Sequence, residues 1–135
     1  MRVRKIILLE EFHYAKQIAV LGYGVVGSGV VELFYQNQEK IEKNTGYPMD
    51  IKYILDLRTF EGDPYADKVV HDINVILQDP EVGYVAECMG GVNPAFEFVS
   101  SCLKAGKSVG DRGSSAAQSP YCEGIGPKLC LAGFH

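Results

Sequence analysis

Three closely spaced glycines near the start of the chain have a spacing that suits phosphate binding. Gly22, Gly24 and Gly27 form the pattern G-x-G-x-x-G between the apolar runs 18–21 and 30–34. A strand, a tight turn and a helix are therefore predicted, and a helix N-terminus presents unpaired N–H groups and a partial positive charge to an anion. The pattern predicts a site for the pyrophosphate of a dinucleotide. A purely structural glycine turn is the alternative, because glycine-rich loops are common.

Each glycine of this loop has its own role in the prediction. Gly22 permits the sharp turn, and Gly24 lets backbone N–H groups approach the phosphates because it has no Cβ. Gly27 allows the helix to pack closely on the strand. The loop is therefore predicted to combine a turn, a phosphate contact and a packing contact within six residues.

A carboxylate and a guanidinium follow the second predicted strand. Asp56 ends the run 51–55, where dinucleotide folds place an acid that accepts hydrogen bonds from the adenosine ribose. It lies 34 positions after Gly22, more than the usual spacing of about 20, because a long helix and a turn at 44–48 intervene. A carboxylate there favours NAD, whereas Arg58 can pair with the 2′-phosphate of NADP, so the cofactor choice stays open. A plain strand-end carboxylate is the alternative for Asp56.

Two adjacent glycines follow the fourth predicted strand. Gly90 and Gly91 come directly after the run 82–88 and its neighbour Met89. In open parallel sheets, ligands bind beyond the carboxyl ends of the strands. A turn without side chains leaves room there for the nicotinamide ribose, and the alternative is an ordinary strand-to-helix turn.

The remaining pattern alternates strands with helices. Strands are predicted at 17–21, 51–55, 68–70 and 82–88, with a fifth that opens at 108–109. Helices are predicted from 25 towards 41, over 73–77 after an Asp72 cap, and over 95–104 after an Asn93 cap. This alternation predicts an α/β fold, a Rossmann-type doubly wound parallel sheet.

The character of the chain changes after Val109. Residues 110–135 are rich in glycine and serine and show no sustained apolar period, so we expect an irregular tail and a sheet that is incomplete after strand five. The predicted organisation is an N-terminal extension at 1–15, a dinucleotide-binding domain at 16–109 and this tail at 110–135.

Composition argues against several classes of function. A length of 135 residues suits one domain, a net charge of −4 does not favour nucleic acid, and no apolar run approaches the length of a membrane span. The four cysteines and three histidines lack metal-ligand spacing, so no metal site is predicted. Cysteines without a disulfide pattern predict a cytoplasmic protein. The basic N-terminus does not indicate a signal peptide, because acidic residues follow a short apolar run.

The chain matches a known family pattern in six segments: KQIAVLGYGVVGSGV at 16–30, IKYILDLR at 51–58, DPEV at 79–82, ECMGG at 87–91, NPA at 93–95 and KAGKSV at 104–109. Together they resemble the N-terminal cofactor domain of homoserine dehydrogenase, which interconverts aspartate semialdehyde and homoserine with NAD or NADP on the route to threonine and methionine. The resemblance implies three cofactor-binding segments, for the pyrophosphate, the adenosine ribose and the nicotinamide: Gly22, Tyr23, Gly24, Val25, Val26 and Gly27; Asp56, Leu57 and Arg58; Cys88, Met89, Gly90 and Gly91.

The sequence departs from this family pattern after the fifth strand. The family has a Thr-x-Asn-Lys segment there, whose lysine lies at the active site, whereas this chain has GDRGS at 110–114. The family's later substrate domain, with its catalytic lysine and aspartate and its dimer-forming sheet, has no matching sequence here. Lys107 precedes the strand and is not a substitute. No catalytic residue is therefore predicted, and we expect the chain to lack the family's dimer interface and to be inactive alone.

Three functions are compatible with the sequence. The leading hypothesis is the cofactor-binding part of a homoserine dehydrogenase-like oxidoreductase. The second is a non-catalytic module that senses a dinucleotide or binds a partner, and the third is a fragment without a function of its own.

Overall fold

Five short apolar segments form one parallel sheet within the residues that the computed structural model describes, which are 17–90 and 94–110. The strands are β1 (Gln17–Leu21), β2 (Ile51–Leu55), β3 (Val69–Val70), β4 (Val82–Glu87) and β5 (Ser108–Gly110). The helices are α1 (Val25–Gln36), α2 (Gln38–Thr45), α3 (Ile73–Leu77) and α4 (Ala95–Lys104), and a 3₁₀ turn spans Ala66–Lys68.

The sheet has the strand order of a dinucleotide-binding fold. The strands pair in the order β3-β2-β1-β4-β5, and every pair is parallel. The chain runs outwards from β1 through β2 to β3 and then crosses to β4 on the other side, so a crevice forms beyond the carboxyl ends of β1 and β4. The predicted α/β Rossmann-type sheet is confirmed. The expected incompleteness after strand five falls on residues 111–135, outside the described residues.

Side chains of the central strand divide the core into two layers. Ala19 and Leu21 point to one face, where they pack with Val99 and Leu103 of α4. Val20 points to the other face, into a second cluster that includes α1. All three β1 residues are fully buried, because neighbouring strands pair on both sides and helices lie on both faces.

The first predicted helix is wrong in its extent. Apolar periodicity predicts one helix from Val25 towards Ile41, but α1 ends at Gln36 and α2 begins at Gln38. The interruption is at Asn37, whose side-chain Nδ2 donates to the carbonyl of Leu33 at 2.9 Å. An asparagine amide competes with the backbone for such carbonyls, which explains a break that apolar periodicity does not reveal.

Smaller differences concern the ends of elements. The turn predicted at 44–48 begins only at Gly46, which ends α2 with a φ of 85°. Lys68 belongs to the 3₁₀ turn rather than to β3. The Asp72 cap is confirmed, because its carboxylate accepts from the N–H of Asn74 at 2.9 Å. The predicted Asn93 cap lies outside the described residues.

A buried lysine lies at the edge of the sheet opposite the crevice. The Lys107 ammonium donates to the carbonyls of Asp79 at 2.8 Å and of Val82 at 2.7 Å, and burial lowers the pKa of this group. It therefore ties β5 to the turn before β4. Among the described residues, no helix has the length and apolar character needed to cross a membrane.

The start of α1 lies against the end of β1 because Gly27 has no side chain. A Cβ built on Gly27 would overlap the carbonyl oxygen of Gly22 and would lie 3.6 Å from the Cβ of Cys88. The packing role predicted for Gly27 is thus confirmed. Gly29, two residues further along the same helix, has open space at its Cβ position.

These two helical glycines give a matched test of the packing. We expect Gly27→Ala to lower the free energy of unfolding by about 1–3 kcal/mol, because helix and strand must separate. Gly29→Ala has no such clash and should raise it by about 0.5–1 kcal/mol through helix propensity. Urea unfolding of the two variants measures both values, and equal effects at the two positions would contradict the packing described here.

Candidate functional site

The glycine loop is fixed to the strands on both sides of β1. The N–H of Gly22 donates to the carbonyl of Leu55 in β2 at 2.7 Å, and the N–H of Cys88 donates to the carbonyl of Leu21 at 2.8 Å. Gly22 has a φ of 94°, and a Cβ there would lie 3.0 Å from the side chain of Met89. A residue with a side chain is therefore strained at this turn.

Gly24 presents the N-terminus of α1 to the crevice. It is the N-cap residue, with a φ of −85°, and no side chain caps the helix. Its Cβ position is empty to 4 Å. The first N–H groups of a helix have no partner within the helix, so this open position and these donors together fit a phosphate group.

A cavity of about 390 Å³ occupies the crevice at the carboxyl edge of the sheet. Segments that follow four strands, together with the start of α4, supply its lining: Gly22, Tyr23, Gly24, Leu55, Asp56, Leu57, Arg58, His71, Cys88, Met89, Pro94 and Phe98. The structure thus brings together residues from all three segments that the family resemblance implied. Their roles in binding stay predictions.

Some predicted site residues lie outside this lining. Val25 is 92% exposed at the start of α1, and Val26 and Gly27 follow it in the helix. Gly90 has a φ of 74° and closes the turn after β4. Gly91 lies outside the described residues.

Asp56 is held by donors of the chain itself. One carboxylate oxygen, Oδ1, accepts from the backbone N–H and the Nε of Arg58 at 2.9 and 3.0 Å. The other, Oδ2, accepts from the N–H of Tyr23 at 2.9 Å and from Nη2 of Arg58 at 3.0 Å. The Arg58 side chain is the main reason why the pKa of Asp56 falls to about 2. The carboxylate therefore joins the glycine loop to the end of β2 as an anion.

Tyr23 is the second connection between the glycine loop and the segment after β2. This residue is 7% exposed, and its ring meets Phe60 edge-on, with centroids 5.0 Å apart. The hydroxyl donates to Asp63 at 3.0 Å. Burial and this carboxylate raise the pKa of Tyr23 to about 12, so the hydroxyl keeps its proton at neutral pH and holds the two segments together.

The turn after β4 is organised by a buried carboxylate that the sequence did not single out. Glu87 is 4% exposed, and its Oε1 accepts from the N–H of Met89 at 2.6 Å and of Gly90 at 3.1 Å. These bonds hold the turn on the far side of the cavity from Asp56. The signal for Glu87 in the sequence is its place at the carboxyl end of β4.

Sequence reasoning missed four lining residues. Leu55 is the last residue of β2, and Pro94 and Phe98 face the cavity from α4. His71 follows β3 directly, and its Nδ1 lies 2.6 Å from the carbonyl oxygen of Asp56. The signal for His71 is its place at the carboxyl end of β3.

The comparisons with known proteins agree with this architecture. A sequence profile described as "Homoserine dehydrogenase, NAD binding domain" matches residues 22–110. The chain belongs to this family. The homoserine dehydrogenase of Lactococcus lactis is 35% identical over 97 residues, and that of Bacillus subtilis is 33% identical over 98 residues. A crystal structure of Staphylococcus aureus homoserine dehydrogenase superposes with a TM-score of 0.71 at 28% identity.

The similarity covers most of this chain and a small part of each relative. It extends over 68% of this chain and 23% of the Lactococcus lactis protein, and over 84% of this chain and 30% of the Staphylococcus aureus chain. The chain therefore spans about a quarter of the length of its curated relatives. It is the NAD-binding domain of a homoserine dehydrogenase-like protein, and its cofactor is NAD or NADP.

The ion pair of Asp56 predicts an acid-dependent part of the stability of this NAD-binding domain. A carboxyl with a pKa near 2 when folded and about 4 when unfolded stabilises the fold above pH 4, and this contribution disappears as the pH falls from about 4 to 2. Asp56→Asn should therefore unfold more easily than the parent at pH 7, and the difference should shrink towards pH 2.

The measurement is urea unfolding of both proteins at several pH values between 7 and 2. The control is Asp67→Asn, which removes an equal charge from an exposed position after β2. A difference between Asp56→Asn and the parent that stays constant over this range would mean that the ion pair does not contribute.

Proposed function

We propose that the chain is the dinucleotide-binding part of an oxidoreductase that interconverts aspartate semialdehyde and homoserine. The observation that carries the proposal is the cavity at the carboxyl edge of the sheet, where the glycine loop meets the ends of β2 and β4. The family of the chain supports the same conclusion. The reaction itself comes from relatives that are about three times as long as this chain, and it is therefore part of the proposal.

Three segments share the binding of the cofactor in this proposal. Residues 22–27 hold the pyrophosphate with backbone N–H groups, and Gly24 leaves the space that a phosphate needs. Residues 56–58 hold the adenosine ribose end. Residues 88–91 face the nicotinamide, with Glu87 keeping their turn in place.

The chain supplies the cofactor side of the reaction. A bound nicotinamide cofactor accepts or donates a hydride. This transfer also needs a substrate held against the ring in the correct orientation. The segment at 110–114 reads GDRGS, where the family pattern has its active-site lysine. We therefore propose that this chain binds the cofactor and does not turn over substrate alone.

A dinucleotide-sensing module is the second candidate function. The segment GDRGS at 110–114, which stands where the family pattern has its active-site lysine, favours this candidate. The two candidates differ in what happens when a substrate domain of a homoserine dehydrogenase is added. Activity that appears only then indicates a split enzyme, whereas binding without activity in either condition indicates a module that senses the dinucleotide or binds a partner.

The remaining expectations are part of the proposal. We assign the cofactor domain to residues 16–109, close to the range 22–110 that the family profile matches. A cytoplasmic location is consistent with Cys88 and Cys102, which are thiols. A nucleic-acid partner stays unexpected because of the net charge of −4.

Titration calorimetry of the full chain with NADH and with NADPH tests the proposal, with Gly24→Asp as the decisive variant. An aspartate at this N-cap position takes up the helix N–H groups and repels phosphate. We expect saturable binding by the parent and at least about a tenfold weaker affinity in the variant, since hydrogen bonds to a charged group contribute about 1.5–3 kcal/mol. The melting temperature of the variant should be unchanged or higher.

Gly29→Ala is the matched control, because it also fills open space in α1 but is not a lining residue. It should bind both cofactors like the parent. Absence of binding by a parent that melts cooperatively would contradict the proposed function. Equal affinities of Gly24→Asp and the parent would contradict the assignment of the glycine loop to the pyrophosphate.

A further inference from the structure

One flank of α1 carries an exposed apolar side chain. Val31 and Phe34 face the sheet and are buried. Tyr35 lies to one side of them, where its ring stacks on that of Tyr65, which precedes β3, with centroids 5.1 Å apart. Leu33 lies on the opposite flank, because two residues along a helix turn through about 200°, and it is 60% exposed. Leu33 therefore points towards the half of the sheet that contains β4 and β5.

The same face of β4 and β5 carries an exposed tyrosine. Val85 and Val109 point to the other face, where they are buried in the core cluster that includes α4. Side chains alternate along a strand, so Tyr84 and its register partner Ser108 point to the face on which α1 lies. Tyr84 is 40% exposed. We call this surface the open face and define it by four residues: Leu33, Tyr84, Ala86 and Ser108.

A parallel sheet is stable when both of its faces are covered. Parallel sheets occur almost only with segments packed on both sides, because their strands are apolar on both faces. Within residues 17–90 and 94–110, α1 and α2 pack mainly over β1 and β2 on this face, and α4 covers β4 and β5 from the other side. The open face therefore requires a further occupant.

The segment that precedes β1 joins the sheet next to the open face. The N–H of Gln17 donates to the carbonyl of Glu81 at 2.7 Å, so the chain enters the sheet beside the start of β4. Tyr84 is the register partner of Ile18, and its hydroxyl lies 3.5 Å from that of Tyr47, which precedes β2. The open face thus begins about one strand spacing, or about 5 Å, from the point of entry.

This preceding segment also has the composition of an occupant. Residues 6–12 read IILLEEF, with four consecutive aliphatic side chains and an aromatic one. Only residues 13–16 separate this run from β1, and four extended residues span up to about 13 Å. A layer packed on a sheet lies about 10 Å from it, so the run can reach the open face. A second apolar run, 129–134, is separated from β5 by residues 111–128.

We propose that the apolar run at 6–12 packs on the open face and covers β4 and β5 beside α1. The chain then covers this half of its own sheet from its N-terminal side. The inference concerns a face of the sheet rather than the cavity at its carboxyl edge, and it does not depend on the proposed function.

Tryptophan fluorescence of the full chain tests this contact, because the chain contains no tryptophan. Leu8→Trp places a single reporter in the run at 6–12, and Leu131→Trp places a matched reporter in the run at 129–134. We expect the emission of Leu8→Trp to be shifted to the blue and protected from acrylamide quenching, relative to the same protein in urea. Emission and quenching equal to those of the urea-unfolded protein would overturn the inference.

A charge on the open face then shows where the reporter lies. We expect Leu33→Asp, combined with Leu8→Trp, to shift the emission to the red and to increase quenching. Gln36→Asp is the matched control, since it adds the same charge at an exposed position of α1 outside the open face, and it should change neither. Tyr84→Ser removes the second large side chain of the open face and should act like Leu33→Asp. Circular dichroism melts check that each variant is folded. A reporter that responds to neither Leu33→Asp nor Tyr84→Ser would overturn the inference.

Sedimentation velocity over a range of concentrations separates the other occupants. We expect a monomer at every concentration. A dimer that Leu33→Asp dissociates would mean that a second copy of the chain covers the open face. A response to Leu33→Asp in Leu131→Trp but not in Leu8→Trp would mean that the run at 129–134 covers it. Either result would overturn the inference and leave the proposed function intact.

Discussion

The absence of a side chain at Gly27 is the constraint on which the site depends. Only hydrogen fits between this residue of α1 and the carbonyl oxygen of Gly22. The helix can therefore begin directly above the end of the central strand, with its N-terminal N–H groups at the crevice. The same approach brings Cys88 and the turn after β4 next to the glycine loop. Because β1 is buried on both faces of the sheet, the glycine loop that follows it is held in a fixed position.

The placement of residues in strands, turns and helices could be predicted from the sequence better than their hydrogen-bond partners. Apolar runs bounded by glycine and aspartate located β1, β2 and α3 correctly, because burial and capping are read locally. The break at Asn37 was not predicted, since it depends on a side chain that competes for one backbone carbonyl. In the same way, Asp56 could be placed at the end of a strand, but one of its four hydrogen bonds comes from the N–H of Tyr23, 33 positions away.

His71 and Glu87 show a related limit of sequence reasoning. Both contact backbone groups, a carbonyl of Asp56 in one case and the N–H groups of Met89 and Gly90 in the other. Backbone partners carry no residue-type signature, so a sequence search for pairs of complementary side chains does not find them. The rule that parallel strands place their carboxyl ends at one edge would have found both residues, because each lies at the end of a strand.

The two halves of the crevice are held by different hydrogen bonds. On the side of β4, the turn is fixed by its own buried carboxylate within three residues. On the side of β2, the segment is fixed to the glycine loop through Tyr23 and to the start of β2 through Lys68, which donates to the carbonyl of Ile51 at 2.8 Å. The glycine loop and the segment after β2 are therefore joined directly, through Tyr23 and its hydrogen bonds to Asp56 and Asp63. In the proposed function, the phosphate contact and the contact with the adenosine end are thus linked through Tyr23 and Asp56.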